Sequence, residues 1–215
     1  YTHNNRVVSS ETNVTDISSL SIPSNVIPRY RATNLEAISI DCSVSYRCNS
    51  GILADKDGTV RALWLSFLGE RLEDKEKIYL MGLDLADLQD IITILKNGKR
   101  PRVNIVDAGF GSISVLQARI RSVPEEWITR MENECDSRLQ FMNVTRVSYT
   151  EEKEKLLPGD VILSVNDKLV KEMCDLDGIV SSTDDPVVKQ VLSFKVVRDG
   201  KILDLNIKTV EIHET

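Results

Sequence analysis

Histidine is nearly absent: the 215 residues contain two, His3 and His213, each beside a terminus. The sequence therefore has no internal imidazole around which to build a metal site or a Ser/His/Asp triad. Cysteine is sparse as well. Cys42, Cys48, Cys135 and Cys174 form no CxxC pair, and a chain of this length folds without disulfides, so they read as four reduced thiols. No apolar run approaches the roughly 18 residues of a membrane-spanning helix, and no basic-then-apolar leader opens the chain. An excess of positive charge is also missing. Lys and Arg total 27 against 33 Asp and Glu, a net charge of −6, which argues against nucleic acid or an anionic membrane as the main partner. Two Asn-x-Thr triplets, at Asn13 and Asn143, would matter only in a secreted protein, and nothing else points to secretion. The chain opens on Tyr1 rather than Met and reads as a segment of something longer. No metal and no cofactor is expected.

What is present is an ordinary globular composition, 41% hydrophobic and 28% charged, with enough length to bury a core. Up to about Phe67 the sequence is rich in Ser, Thr, Val and Ile; residues 35–41 and 60–65 read as strands, with Asp57-Gly58 as a tight turn between apolar runs. Residues 83–97 change period. Leu88, Ile91, Ile92 and Leu95 follow helical spacing, with Asp84 as a candidate cap and Gly98 and Pro101 as terminators. The Gly98–Pro101 stretch is the preferred domain boundary. Beyond it, residues 102–116 alternate. A helix is predicted from Ser122, whose spacing to Glu125 suits a capping box. Strands are predicted over 139–147, 161–165, 192–198 and 202–207, with Asp199-Gly200 turning the last pair and a short helix over 173–181. This is a compact α+β module.

The stretch Leu156-Leu157-Pro158-Gly159-Asp160-Val161-Ile162-Leu163-Ser164-Val165-Asn166-Asp167-Lys168 resembles the PDZ signature of HtrA-type proteases. Pro-Gly-Asp makes a tight turn into an apolar strand, and Asn166-Asp167 turns out of it. In the front half, residues 40–51 with Asn49-Ser50-Gly51 resemble the nucleophile loop of the trypsin-like HtrA domain. Phe110-Gly111-Ser112-Ile113-Ser114-Val115 and Val123-Pro124-Glu125-Glu126-Trp127 narrow the resemblance to the fungal nuclear HtrA-like serine proteases. The resemblance implies a mainly β fold with α+β character: the second β-barrel of a degenerate trypsin-like domain over residues 1–82, a linker helix over 83–98, and a PDZ domain over 99–215. It further implies a nuclear serine endopeptidase linked to apoptosis and lipid homeostasis, with this segment as a non-catalytic regulatory part. The competing reading is a stand-alone PDZ-type interaction scaffold unrelated to proteolysis.

Ser50 is expected to be a vestigial nucleophile. Acyl transfer needs a general base and two amides aimed at the oxyanion. The glycine normally two positions before the serine is Cys48 here, and Ile52 replaces a glycine after it. Cys48 as an alternative nucleophile has only Arg47 adjacent to activate it. The PDZ-like half would add an extended peptide as a strand along residues 111–116. Phe110, Gly111 and Ser112 would receive a C-terminal carboxylate, the glycines permitting close approach. Ile113, Val115, Leu176, Ile179 and Val180 are candidate pocket residues, the alternative being that they face the core. The acidic helix after Pro124 reads as an addition to a minimal PDZ domain, either solvated or lying across the groove. The expected partners are protein or peptide C termini, extended segments and an upstream protease domain of the same chain. No nucleic acid or membrane partner is expected, and a homo-oligomer is left open.

Overall fold

The Val60 strand begins right after Asp57-Gly58 because Gly58 adopts φ +82°, which a side chain rarely tolerates. In the computed structural model, which describes residues 7–19, 34–41, 48, 50–72, 75–85, 88–100, 104–134, 139–148, 154–181 and 190–211, the chain forms two compact units, residues 1–100 and 101–215.

In the first unit, β1 (Asn13–Ser19), β2 (Glu36–Asp41), β3 (Ser50–Ala54), β4 (Val60–Leu72) and β5 (Lys75–Asp84) form an antiparallel sheet in the order β1-β2-β5-β4-β3. Among the described residues β1 and β3 do not pair, so the sheet is open. The β3–β4 turn is held by Asp55, whose Oδ1 accepts the Thr59 and Asp57 amides at 2.9 and 3.1 Å. Its Oδ2 takes Arg61 Nε at 2.9 Å. The Thr59 amide foremost, with Arg61 and Asp57, lowers the Asp55 pKa, against a smaller opposing effect of burial. Gly82 of β5 is buried between β2 and β4. A Cβ there would meet Leu53 Cδ1 at 2.9 Å and Ile38 Cβ at 3.2 Å.

The helix predicted over 83–97 is shorter. Leu83 and Asp84 complete β5, and α1 spans Gln89–Lys96. Asp84 does not cap it: Leu88 occupies the N-cap with no side-chain hydrogen bond. Strand pairing of Leu83 with Ala37 and Leu63 outcompetes the helical period.

The second unit comprises β6 (Asn104–Ile105), β7 (Ala108–Ser114), α2 (Val115–Ile120), α3 (Glu125–Glu134), β8 (Gln140–Val147), β9 (Val161–Val165), β10 (Lys168–Leu169), α4 (Met173–Ser181), β11 (Val191–Arg198), β12 (Lys201–Lys208) and β13 (Val210–Glu211). The main sheet runs β12-β11-β9-β8-β7, with β10 on β9 and β6 paired to β13. Two turns use left-handed residues in pairs: Asn166 and Asp167 (φ 49° and 62°) before β10, and Asp199 and Gly200 (φ 50° and 72°) before β12. Left-handed pairs match the twist of hairpin strands.

Both faces of this sheet are covered. One buried cluster joins Val106, Ala108, Phe110, Met142, Val144, Ile162 and Phe194 with Met173, Leu176, Ile179 and Val180 of α4. The other joins Ile113, Phe141, Val161, Leu163 and Val197 with Ala118 of α2 and Ile128 and Met131 of α3. Central β9 is consequently buried at all five positions, Ser164 included, which explains why its apolar residues do not alternate with exposed polar ones.

Two local expectations are corrected. Residues 115 and 116 do not extend the edge strand but start α2, because Ser114 and Gln117 form a reciprocal capping box. Ser122 does not cap α3: it has φ 62° and its amide closes the preceding helix onto Arg119 O at 2.9 Å, while Trp127 donates to Pro124 O. Arg119 clips α2 to α3 through Glu125 at 2.7 Å.

Candidate functional site

In the first unit, Ser50 is an exposed residue at the start of β3, paired with Leu65 of β4. Cys48 is a half-buried free thiol. Asn49 and residues 42–47 of the expected nucleophile loop lie outside the described residues, as do both histidines. Among the described residues, then, Ser50 has no imidazole to take its proton. Exposed Ile52 continues the strand and places no second glycine after the serine. Gly51 would accept a Cβ at an ordinary 3.9 Å from Trp64. Among the described residues, Ser50 sits in the β3–β4 ladder, whose pairing runs unbroken to Leu53.

In the second unit, β7 ends the sheet order, with β8 as its partner among the described strands. The register sets Phe110 opposite Val144, Gly111 opposite Asn143 and Ser112 opposite Met142, after an irregularity between Gly109 and Phe110. Strand alternation then divides the candidate pocket residues. Phe110 joins the α4 cluster with Leu176, Ile179 and Val180, whereas Ile113 joins the opposite cluster under α3. Val115 sits in α2 and packs on that same opposite side. So the structure brings together Phe110, Leu176, Ile179 and Val180, leaves half-buried Ser112 on the Phe110 face, and moves Ile113 and Val115 away.

Gly111 sits close against β8. A Cβ there would come within 2.9 Å of Thr145 Cγ2 on β8, so the neighbouring strand leaves little room for a side chain. The acidic helix α3 covers the face opposite α4 and does not lie over the Phe110 side.

The turn that carried the sequence resemblance anchors this unit. Gly159 has φ 99° and Asp160 N donates to Leu157 O at 3.1 Å, a turn with proline second and glycine third. Asp160 is 1% exposed and receives Arg198 in a two-pronged pair, Nε to Oδ1 and Nη2 to Oδ2, both 2.7 Å. The Asp160 carboxylate also takes the Leu157 amide at 2.8 Å. Hydrogen bonding to Asp160 raises the Arg198 pKa, opposed by a smaller desolvation. Arg198 lies 38 residues after its partner, and no local sequence signal links the two. A hollow of about 290 Å³ beside this corner is lined by Ile120, Arg121, Ser122, Gly159, Val197, Asp199 and Gly200, none of them a predicted groove residue.

At the start of α4, the ligand atoms of Glu172, just before the helix, and of Cys174 and Asp175 lie within 4.8 Å of one another. The Asp175 carboxylate is already engaged, accepting the Lys171 and Glu172 amides at 3.0 and 3.2 Å. This is a helix-start arrangement.

No protein-family model matches the chain. Among solved structures, the HtrA-type protease AlgW with decapeptide aligns with a TM-score of 0.45 and 13% identity, covering 94% of this chain and 62% of that one. Over all 215 residues the chain is 72% identical to the pro-apoptotic serine protease of Eremothecium gossypii and 73% identical to that of Saccharomyces cerevisiae, covering 22% of each. It is 41% identical to the pro-apoptotic serine protease of Debaryomyces hansenii, over 98% of this chain and 21% of that protein. The chain is thus homologous from end to end to a segment of the pro-apoptotic serine proteases of these fungi, and it spans about a fifth of their length.

Proposed function

We propose that the chain is a non-catalytic, peptide-docking part of an HtrA-like serine endopeptidase, with the second unit serving as its PDZ module and the first as a degenerate protease sheet. The names of its relatives support the proteolytic setting. The observation that carries the docking role is a contrast between the two ends of one sheet. Edge strand β12 is guarded: Lys201, Asp204 and Lys208 are exposed along it, and Glu154 Oε2 accepts the Asn206 amide at 2.9 Å. Charges and capped amides of this kind discourage another strand from pairing. Strand β7, Ala-Gly-Phe-Gly-Ser-Ile-Ser, carries no charge at all. An uncharged end strand, flanked by a helix packed on the same apolar cluster, suits strand addition by an extended segment, with main-chain bonds for affinity and the Phe110–Leu176–Ile179–Val180 cluster for selection.

The test is Ser112→Trp in the full-length protein, read by polarisation of fluorescein-labelled peptides with a free apolar C-terminal residue. Ser112 belongs to neither buried cluster. The bulky side chain should therefore obstruct the groove while thermal stability holds, weakening binding at least tenfold, about 1.4 kcal/mol. Unchanged binding would remove β7 from the docking site.

A further inference from the structure

Phe110, Leu176, Ile179 and Val180 are only 5%, 3%, 6% and 7% exposed. Interiors are close-packed, so a ligand side chain enters such a cluster only when one wall gives way. Three of these four residues belong to α4, which at nine residues is shorter than isolated helices that hold in water, roughly 12–15 residues.

The two ends of α4 are built differently. Its start is tied by the Asp175 carboxylate to the Lys171 and Glu172 amides. Its second half opens with Gly178, an exposed glycine inside a helix, where a Cβ would meet nothing within 4 Å among the described residues. Packing therefore does not require glycine at this position. Against alanine it favours opening of the helix by about fivefold. Ile179 and Val180, two of the pocket walls, follow it directly.

Resting on the peptide-docking reading above, we propose that residues 178–181 are a gate hinged at Gly178. Unwinding this last turn of α4 withdraws Ile179 and Val180 from the cluster and admits the apolar side chain of a docked peptide. The half of the helix before the hinge, with Leu176, stays in place as the fixed wall.

The experiment uses the full-length protein and a fluorescein-labelled decapeptide pool, randomised except for Val, Leu or Phe at a free C terminus, together with hydrogen exchange along α4. Gly178→Ala introduces no clash and should weaken pool binding about fivefold, the same factor by which exchange at Ile179 and Val180 slows. Cys174→Ala, an exposed position one turn before the hinge, should leave both within twofold. Equal affinity for wild type and Gly178→Ala, with exchange slowed, overturns the gate and leaves peptide docking standing. An equal loss in Cys174→Ala assigns the effect to the whole helix and overturns the hinge. No binding of the pool by the wild type overturns the docking reading and the gate together.

Discussion

The surroundings of Ser50 and of Phe110 meet very different physical demands. Ser50 is exposed at the start of the β3–β4 ladder, whose backbone pairing with Leu65 asks for no particular side chain. A catalytic serine needs a base and an oxyanion site for chemistry, and neither contributes to folding. Phe110, Leu176, Ile179 and Val180 instead belong to the core that holds α4 on the sheet. A pocket whose walls are also core is maintained by folding stability itself, whereas catalytic geometry is maintained only by its use.

This contrast can be broken most sharply from the second unit. Arg198→Met leaves the Asp160 carboxylate, 1% exposed, without its two-pronged partner. Stranding a buried charge costs about 3–5 kcal/mol; because Arg198 keeps 23% of its side chain exposed, a value near the lower end is expected by denaturant unfolding. Adding Asp160→Asn should recover part of the loss. If the single variant unfolds at wild-type denaturant, the corner is not the anchor described above. The first unit answers to a different substitution. Gly82→Ala drives a methyl to 2.9 Å from Leu53 and 3.2 Å from Ile38, and overpacking of this kind costs about 1–3 kcal/mol. Hydrogen exchange should show faster opening in β2, β4 and β5, with the β9 amides unchanged. Acceleration in β9 as well would mean that the two units share stability.

Legibility in the sequence followed the range of the interactions. The second unit was readable because its signals are local. Asn166-Asp167 and Asp199-Gly200 each need the left-handed φ they adopt, and α4 spans the residues its apolar spacing suggested. The first unit was harder to read. Residues 83–84 look helical by period yet complete a strand, because the partners of Leu83, Ala37 and Leu63, lie 46 and 20 positions away. Ser122 has the spacing of a capping box with Glu125, but it adopts φ 62° at the end of α2, and the box that forms is Ser114–Gln117 at the start of that helix. At the candidate groove, alternation puts Phe110 and Ile113 on opposite faces, but which of the two meets α4 depends on which helix covers each face. The Asp160–Arg198 pair spans 38 residues and left no trace in the pattern at all.

Acid should probe the first unit more gently. The Asp55 pKa is held below its ordinary 3.8, chiefly by the Thr59 amide. A carboxyl lowered on folding adds stability above its unfolded pKa and loses it as pH falls through the folded value. The β3–β4 turn should therefore loosen only below about pH 4, seen as faster exchange at Thr59 and Asp57. In Asp55→Asn that pH dependence should vanish, and persistence of the loosening would assign it to other groups.

The smallest expected effect is the most discriminating. Ser50→Ala removes one exposed hydroxyl at the start of β3, where alanine fits without crowding, so folding should shift by less than about 0.5 kcal/mol. In the full-length protein, hydrolysis of an unfolded model substrate should continue at the wild-type rate. A catalytic serine removed in this way costs many orders of magnitude in kcat, so no intermediate outcome blurs the result. Undiminished hydrolysis assigns the chemistry to another part of the protein and leaves this segment its docking edge. Abolished hydrolysis with an intact fold would make this open sheet half of a working catalytic centre, with its base supplied from outside the described residues, and the contrast between the two units would collapse.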